Sequence, residues 1–297
     1  MSDTTAKPQT RGSTEQTVVL KFGSSVLRSP ADLPRVAAEI ERRRDRGRTP
    51  VVAIVSAFRG RTDELLAGAG TRSRFDTGGP ALASLLSVGE IEASALLALE
   101  IERAGIHAEL VPPERVGVIA SDACIEGEPV QTDPRWVLGA LRRAGVAVVP
   151  GFVSRTRDGR PALLGRGGSD LTAVCLAAAL GARCVLVKDT GAVHEWDPAE
   201  GGPAPKRFAT LTFEDALALG DRVIQPRAIR WAQRLGRPFT VAGLGADGGT
   251  LVGAERTTTT DERETDEPRA FAAVHARPQS QGRASTTTGQ ARSEHAS

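Results

Sequence analysis

A glycine-rich turn with one arginine and one aspartate is the most chemically suggestive segment of this 297-residue chain. Residues 164–170 have the sequence LGRGGSD, and the apolar run 171–180 follows. Such a turn directs backbone N–H groups and the positive end of a helix dipole at an anion. We expect Ser169 or Asp170 to cap that helix, and Arg166 to offer two parallel hydrogen bonds to a carboxylate. The alternative is an ordinary strand-to-helix connection with an exposed arginine, because short glycine motifs recur by chance.

A lysine near the end of a predicted buried strand is the second chemical candidate. Residues 17–22 have the sequence TVVLKF, and Gly23, Ser24 and Ser25 follow. Ligands of open α/β sheets bind at the carboxyl ends of the strands, so Lys21 could face a phosphate there. Only four of the 38 basic residues are lysines, which indicates that a lysine within a motif serves as a compact ammonium. The alternative is a strand-end lysine that extends to water.

Alternating strands and helices are predicted to position these residues. Strands are predicted at 17–22, 51–55, 107–111, 146–152, 184–187 and 238–241, and helices at 31–46, from residue 64, and at 82–104, 134–144, 170–180, 212–220 and 225–235. This alternation predicts an α/β fold with a mostly parallel sheet that helices cover on both faces. The domain is expected at 16–253, between a disordered N-terminus at 1–15 and a disordered polar tail at 254–297.

Composition restricts the class of protein. Hydrophobic residues make up 40% and charged residues 25%, as in soluble globular domains. The net charge of +2 favours neither nucleic acid nor a membrane surface as a partner. Cys124, Cys175 and Cys184 lack metal-ligand spacing, and the last two are predicted to be buried thiols, which fits a reducing cytoplasm. No apolar run is expected to span a bilayer, and the polar N-terminus is not typical of a signal peptide.

Taken in chain order, these motifs resemble the catalytic domain of aspartate kinases, within the amino acid kinase family. The similar segments are KFGSSV (21–26), VSAFRGRTDELL (55–66), VGEIEASALL (88–97), GVIASD (117–122), GF (151–152), LGRGGSDLTAVCLAAALGA (164–182), VKDTGAVHEWDP (187–198), RVIQPRAI (222–229) and GGTLV (248–252). The resemblance implies a three-layer α/β/α sandwich that binds MgATP and an acidic substrate at one sheet edge. It also implies transfer of the γ-phosphoryl group to the side-chain carboxylate of L-aspartate, and it leaves a homodimer open.

The resemblance implies a role for each matching residue. Lys21 would neutralise charge on the transferred group, and Asp170 would orient Lys21 or a metal-bound water. Arg166 would hold a substrate carboxylate and Glu90 would pair with the α-amino group, although a single glutamate is more often a surface residue. The implied substrate-binding residues are Ser56, Thr62, Glu90, Phe152, Arg166 and Ser169. The implied nucleotide-binding residues are Lys21, Gly23, Ser24, Ser25, Lys188, Asp189, His194, Arg222 and Val223. No residue is assigned to bind the Mg²⁺ directly.

The nucleotide side departs from the family pattern. KFGSSV lacks one glycine of the usual KFGGSSV, and Arg222 stands where a phosphate-binding lysine is expected. We hypothesise that Lys188 compensates for one lost charge. We also expect no ACT-type feedback control, because 254–297 are too few and too polar to form an ACT domain. Two alternatives stay open, a kinase for a related amino or carboxylic acid and a non-catalytic aspartate-binding protein.

Overall fold

The computed structural model describes residues 17–70, 79–196 and 205–260. The strands are β1 (Val18–Phe22), β2 (Val51–Val55), β3 (Glu109–Leu110), β4 (Val118–Ala120), β5 (Pro129–Thr132), β6 (Val146–Pro150), β7 (Val153–Arg155), β8 (Pro161–Leu163), β9 (Arg183–Val187), β10 (Phe208–Leu211), β11 (Phe239–Ala242), β12 (Gly249–Val252) and β13 (Thr258–Thr259). The helices are α1 (Leu33–Arg44), α2 (Arg61–Gly68), α3 (Pro80–Arg103), α4 (Arg135–Ala144), α5 (Gly168–Leu180), α6 (Phe213–Leu219) and α7 (Pro226–Arg234).

The main sheet has nine strands in the order β13-β10-β12-β11-β9-β1-β2-β6-β3. Neighbours are parallel except at β11–β12 and β10–β13, which confirms the predicted α/β class. The central strand β1 is in register with both neighbours, so that Phe22 lies level with Val55 of β2 and Val187 of β9. The residues that follow these strands therefore meet at one edge of the sheet.

Helices cover both faces of this sheet. Because strand side chains alternate between faces, Val19 packs with Leu171 and Val174 of α5 in one buried cluster, to which α4, α6 and α7 also contribute. On the other face Leu20 packs in a second cluster with residues of α1 and α3, such as Ile40. The three layers match the sandwich that the sequence predicts.

Three short segments differ from the sequence-based prediction. Residues 113–133, where no strand or helix was predicted, contribute β4 and β5 to a second sheet in the order β5-β4-β7-β8. Strand β10 was not predicted, and β13 pairs with it beyond residue 253, where the domain was expected to end. These strands are two to four residues long, and each is defined by its pairing with another strand. The tail was expected to be disordered from residue 254, but residues 254–260 are described and include β13. The rest of that tail, 261–297, and the N-terminal segment 1–15 lie outside the described residues.

Helix α3 corrects the expectation that no apolar run could span a bilayer. By length and composition alone its 24 residues would suffice to cross one. In the fold, however, more than half of its most apolar window is buried, and Leu97 and Ile101 pack in the core beside β2 and β6. Core helices of soluble domains meet the same criteria, so this helix is only weak evidence for a membrane protein.

The three cysteines are free and buried, as predicted for two of them. Burial raises the pKa of the Cys175 thiol to about 12 and raises that of Cys184 further. A thiol reacts as its thiolate, so these two groups are chemically inert at neutral pH.

A buried glutamate ties α1 to the loop that follows β11. The Glu39 side chain is 1% exposed. Its two oxygens accept hydrogen bonds from Arg42 and Arg43 at 2.8–2.9 Å and from the Gly245 N–H at 2.9 Å. Burial by itself would raise the pKa of this carboxyl, but the hydrogen bonds outweigh it and lower the pKa.

We expect Glu39→Gln to lower the free energy of unfolding by about 1–3 kcal/mol at neutral pH, because the buried donors lose a charged acceptor. A lowered folded-state pKa stabilises the fold above the ordinary value of 4.5, and that contribution disappears as the pH falls through the folded-state pKa. The difference between the two proteins should therefore shrink in acid, as measured by urea unfolding at several pH values. Glu41→Gln is the matched control, because the Glu41 side chain is 45% exposed. Equal losses in both variants would contradict the prediction.

Candidate active site

A cavity of about 320 Å³ opens at the edge of the main sheet. It is lined by residues that follow β1, β2 and β6, by Glu90 of α3 and by the turn that leads into α5. Nine residues singled out from the sequence line it together, namely Lys21, Ser24, Ser56, Thr62, Glu90, Phe152, Arg166, Ser169 and Asp170. The three glycines of the predicted turn, Gly165, Gly167 and Gly168, also line it, and the lining residues to which the sequence assigned no role are Ala57, Phe58, Gly60 and Asp63. They lie beside the predicted ones in the same loops.

An ion pair between β1 and α5 lies in this cavity. Lys21 Nζ is 2.6 Å from Asp170 Oδ1, and the two side chains are 12% and 7% exposed. A side chain at Gly23 would bring its Cβ within 2.7 Å of Lys21 Nζ, so glycine is needed there for the ammonium group to reach its position. Asp170 thus fixes the Lys21 ammonium group at the cavity wall, where it could contact a bound anion.

Helix α5 begins two residues earlier than the sequence predicts. Its first residue is Gly168, and its N-cap is Gly167 with a φ of +75°. The expectation that Ser169 or Asp170 caps the helix is therefore wrong, because both lie within the first turn. A left-handed N-cap favours glycine, and the two polar side chains line the cavity instead.

Arg166 lies exposed at the cavity, and no hydrogen bond or ion pair within the described ranges involves its side chain. The turn that carries it is held from behind by Arg227 of α7. The Arg227 guanidinium donates to the carbonyls of Leu164 and Gly127 and to Glu128 Oε1 at 2.9 Å. The sequence did not indicate this role, since RVIQPRAI resembled a family motif without a function for its second arginine.

Glu90 is a buried acid that faces the cavity from α3. The residue is 4% exposed, and its Oε1 accepts a hydrogen bond from the Ala57 N–H at 3.2 Å. Its Oε2 is buried and has no hydrogen-bond partner among the described residues. Burial raises the pKa of Glu90 to about 8. A cationic group against Oε2 would stabilise the ionised form, so Glu90 and Arg166 can together receive a zwitterion.

Phe152 forms an apolar wall of the cavity. It is 7% exposed and packs in a small buried cluster with Leu82 and Leu86 of α3. Its φ of +67° places the backbone in the left-handed region, which is unusual for an aromatic residue. Glu90 lies one turn beyond Leu86, so the wall and the acid are fixed by the same helix.

Of the candidate nucleotide-binding residues, only Lys21 and Ser24 line the cavity. Ser25 lies half-buried in the turn after β1, outside the cavity lining, and Gly23 lies beside Lys21. Lys188 follows β9 and is half-buried. Burial lowers the pKa of Lys188, with Lys21 adding to the effect and Asp170 opposing it. These electrostatic effects indicate that Lys188 lies within range of the ion pair.

The other nucleotide-side candidates do not line the cavity. Asp189 is exposed, and His194 forms an isolated bridge with Arg207. The Arg222 guanidinium donates to the carbonyl of Glu195 at 3.0 Å. Val223, the last nucleotide-binding candidate, has its side chain fully buried in the core. Only its backbone could contact a nucleotide.

We expect the wild-type protein to lose stability relative to Glu90→Gln as the pH rises from 4.5 towards about 8. The folded-state pKa lies above the ordinary 4.5, so the folded protein binds the proton more tightly than the unfolded chain does. This stabilisation is complete below the ordinary pKa and is lost as the pH rises through the folded-state value. Thermal unfolding of both proteins across this pH range measures it.

The control for this prediction is Glu92→Gln. Glu92 lies on the same helix, but its side chain is 42% exposed and pairs with Arg61. Its unfolding profile should run parallel to that of the wild type. Parallel profiles for wild type and Glu90→Gln would contradict the raised pKa.

Comparison with known proteins shows which family this chain belongs to. Residues 16–243 match the model of the amino acid kinase family. An aspartokinase of Thermus thermophilus is 34% identical over 242 residues, which cover 79% of this chain and 58% of that protein. The chain thus spans less than two thirds of the length of this curated relative.

Solved structures have the same fold. Aspartate kinase from Synechocystis superposes with a TM-score of 0.65 at 30% identity, covering 79% of this chain and 39% of that one. E. coli aspartokinase III in complex with aspartate and ADP superposes with a TM-score of 0.65 at 24% identity, covering 80% of this chain and 64% of that one. The second likeness shows the fold alone.

Proposed function

Because this chain belongs to the amino acid kinase family, we propose that it transfers the γ-phosphoryl group of ATP to the side-chain carboxylate of L-aspartate, forming 4-phospho-L-aspartate. One observation carries the proposal: the Lys21–Asp170 ion pair shares its cavity with a basic residue, Arg166, and a buried acidic residue, Glu90. The likeness to aspartokinases supports the choice of reaction.

The acceptor side suits an α-amino acid with a second carboxylate. The ammonium group would lie against Glu90 Oε2, the buried oxygen without a partner among the described residues. Arg166 would hold a carboxylate through its planar guanidinium. Phe152 would form the apolar wall. The hydroxyls available for further hydrogen bonds belong to Ser56, Thr62 and Ser169.

The chemistry requires charge neutralisation rather than a base. A carboxylate with an ordinary pKa of about 3.9 is ionised at neutral pH, so it can attack without losing a proton. One carboxylate oxygen forms a bond to the γ-phosphorus, the bond to the bridging oxygen breaks, and ADP leaves with the electron pair. Lys21 would neutralise the phosphoryl oxygens during this transfer, and Asp170 would keep its ammonium group in place.

ATP would occupy the strand ends beside Lys21, where the turn of Gly23, Ser24 and Ser25 and the residue Lys188 lie. The likeness to aspartokinases supports ATP as the phosphoryl donor, and E. coli aspartokinase III is solved in complex with aspartate and ADP. Within the described residues no group of three or more His, Cys, Asp or Glu could hold a metal ion. A Mg²⁺ ion would therefore be held mainly by the nucleotide phosphates. Such an ion commonly takes only one or two carboxylates and keeps several waters. The ion would supply further neutralisation of phosphate charge.

Three features stay predictions from the sequence. They are the possible homodimer that the resemblance leaves open, the cytoplasmic location and the absence of ACT-type feedback control. Each concerns the behaviour of the protein in solution or in the cell rather than the geometry of the cavity.

We expect the protein to form aspartyl hydroxamate from L-aspartate, MgATP and hydroxylamine, which traps the acyl phosphate. Lys21→Ala should lower kcat by about 10²–10³-fold, because it removes charge stabilisation in the transition state. Arg35→Ala removes one positive charge from the exposed side of α1 and should leave kcat unchanged. The colorimetric hydroxamate assay measures all three proteins.

The same assay decides between the proposal and its alternatives. If the wild type forms no hydroxamate but MgATP raises its Tm, the acceptor is a different acid. If MgATP leaves the Tm unchanged as well, the protein is a non-catalytic binder. Product formation that does not depend on Lys21 would contradict the assigned role of this lysine.

We expect Lys188→Ala to raise the KM for ATP by about tenfold, or about 1.4 kcal/mol, because a partly buried ammonium near the ion pair would be lost from the phosphate site. Arg183→Ala is the matched control, since Arg183 is exposed at the opposite end of the same strand. Steady-state kinetics with varied ATP measures both variants. An unchanged KM in Lys188→Ala would exclude the compensating role.

A further inference from the structure

We propose that Thr172 is a positioning residue that fixes Phe152 as the apolar wall of the acceptor end of the cavity, and that it thereby tunes the affinity for the acceptor amino acid. The kinetic part of this inference rests on the proposed function. Thr172 does not line the cavity itself, because it is fully buried within α5.

Phe152 needs an external restraint. Among the described non-glycine residues, only Asp45, Arg46 and Phe152 have a positive φ. Asp45 and Arg46 lie exposed in the turn after α1, whereas Phe152 is buried and carries a bulky side chain. A left-handed aromatic residue persists only where surrounding contacts hold it, and such residues concentrate at ligand sites.

Two hydrogen bonds hold the Phe152 backbone. Its N–H donates to Thr172 Oγ1 at 3.1 Å, and its carbonyl accepts from the Leu164 N–H at 2.9 Å. The Thr172 hydroxyl in turn donates to the Gly168 carbonyl at 3.0 Å. Helical threonines often donate to the carbonyl four residues earlier. The additional bond from the Phe152 N–H connects the segment after β6 to Thr172 of α5, and through Thr172 to Gly168 at the start of that helix.

The restraint also fixes the aromatic ring. A Cβ at position 168 would lie 2.6 Å from Phe152 Cδ2, so the ring lies directly against the backbone of Gly168. On another side the ring packs with Leu82 and Leu86 of α3, the helix that carries Glu90. The ring therefore lies between the turn that provides Asp170 and the helix that provides the buried acid.

Loss of the Thr172 hydroxyl would release this arrangement. The buried N–H of Phe152 would lose Thr172 Oγ1 as its acceptor. The backbone of Phe152 could then adopt the negative φ that is usual for an aromatic residue. The ring would leave the wall of the cavity, while Lys21 and its ion pair would keep their own contacts. We therefore expect an effect on the acceptor rather than on the nucleotide.

The decisive variant is Thr172→Val, which keeps the size and β-branching but removes the hydroxyl. We expect the KM for L-aspartate to rise at least about fivefold, with the KM for ATP changed less than about twofold, since only acceptor contacts are lost. Thr172→Ser restores the hydroxyl and should return the KM for L-aspartate to within about twofold of the wild type.

Thr250→Val is the matched control. Thr250 is also fully buried, and its Oγ1 accepts from the Val193 N–H at 3.0 Å and donates to the Phe208 carbonyl at 2.7 Å. It lies in β12, three strands away from β1. If Thr172 were merely structural, the two valine variants would lose stability alike without a change in the KM for L-aspartate. That outcome would overturn the inference.

A second measurement does not depend on turnover. Hydrogen exchange of the Phe152 amide should be at least about tenfold faster in Thr172→Val than in the wild type, because the protecting acceptor is gone. Thr172→Ser should keep the wild-type rate. If the wild type forms no aspartyl hydroxamate, the proposed function fails and exchange alone decides the positioning role. Unchanged exchange in Thr172→Val would overturn it.

Discussion

The ion pair between Lys21 and Asp170 is the interaction on which the rest of the site depends. Two charges lie almost buried at the end of the central strand, and removal of either one would leave the other without compensation. The pair joins β1 to the first turn of α5 and therefore sets where the glycine-rich turn lies relative to the sheet. The same pair keeps an ammonium group directed at the position where a phosphoryl group would be transferred.

Arg166 and Glu90, both described residues on the proposed acceptor side of the cavity, do not form an ion pair with each other as Lys21 and Asp170 do. Arg166 is exposed, and its turn is held by the Arg227 guanidinium, so a positive charge is available without the cost of burial. Glu90 is buried, and burial raises its pKa to about 8, which favours the protonated form. A ligand ammonium would thus restore the charge that burial suppresses. Under the proposed function, affinity for an amino acid would therefore depend on the protonation of this carboxyl group.

Much of the fold could be predicted from the sequence because it depends on local patterns. Continuous apolar runs such as VVAIV at 51–55 indicate strands buried on both faces, and helical periodicity indicates the covering layers. Strands β4, β5, β10 and β13 were not predicted, and each depends on a partner strand elsewhere in the chain. Such short strands exist through their pairing and not through their own composition.

The same division applies to the site. Lys21 could be placed at the carboxyl edge of the sheet from its position in a predicted strand, and the family resemblance implied that Ser56, Phe152 and Asp170 share a site with it. Three further features arise only when the chain folds: Glu90 is buried with a raised pKa, Arg227 supports the turn, and Thr172 holds Phe152. Those features depend on hydrogen bonds and packing between segments that are distant along the chain, and no local pattern encodes such contacts.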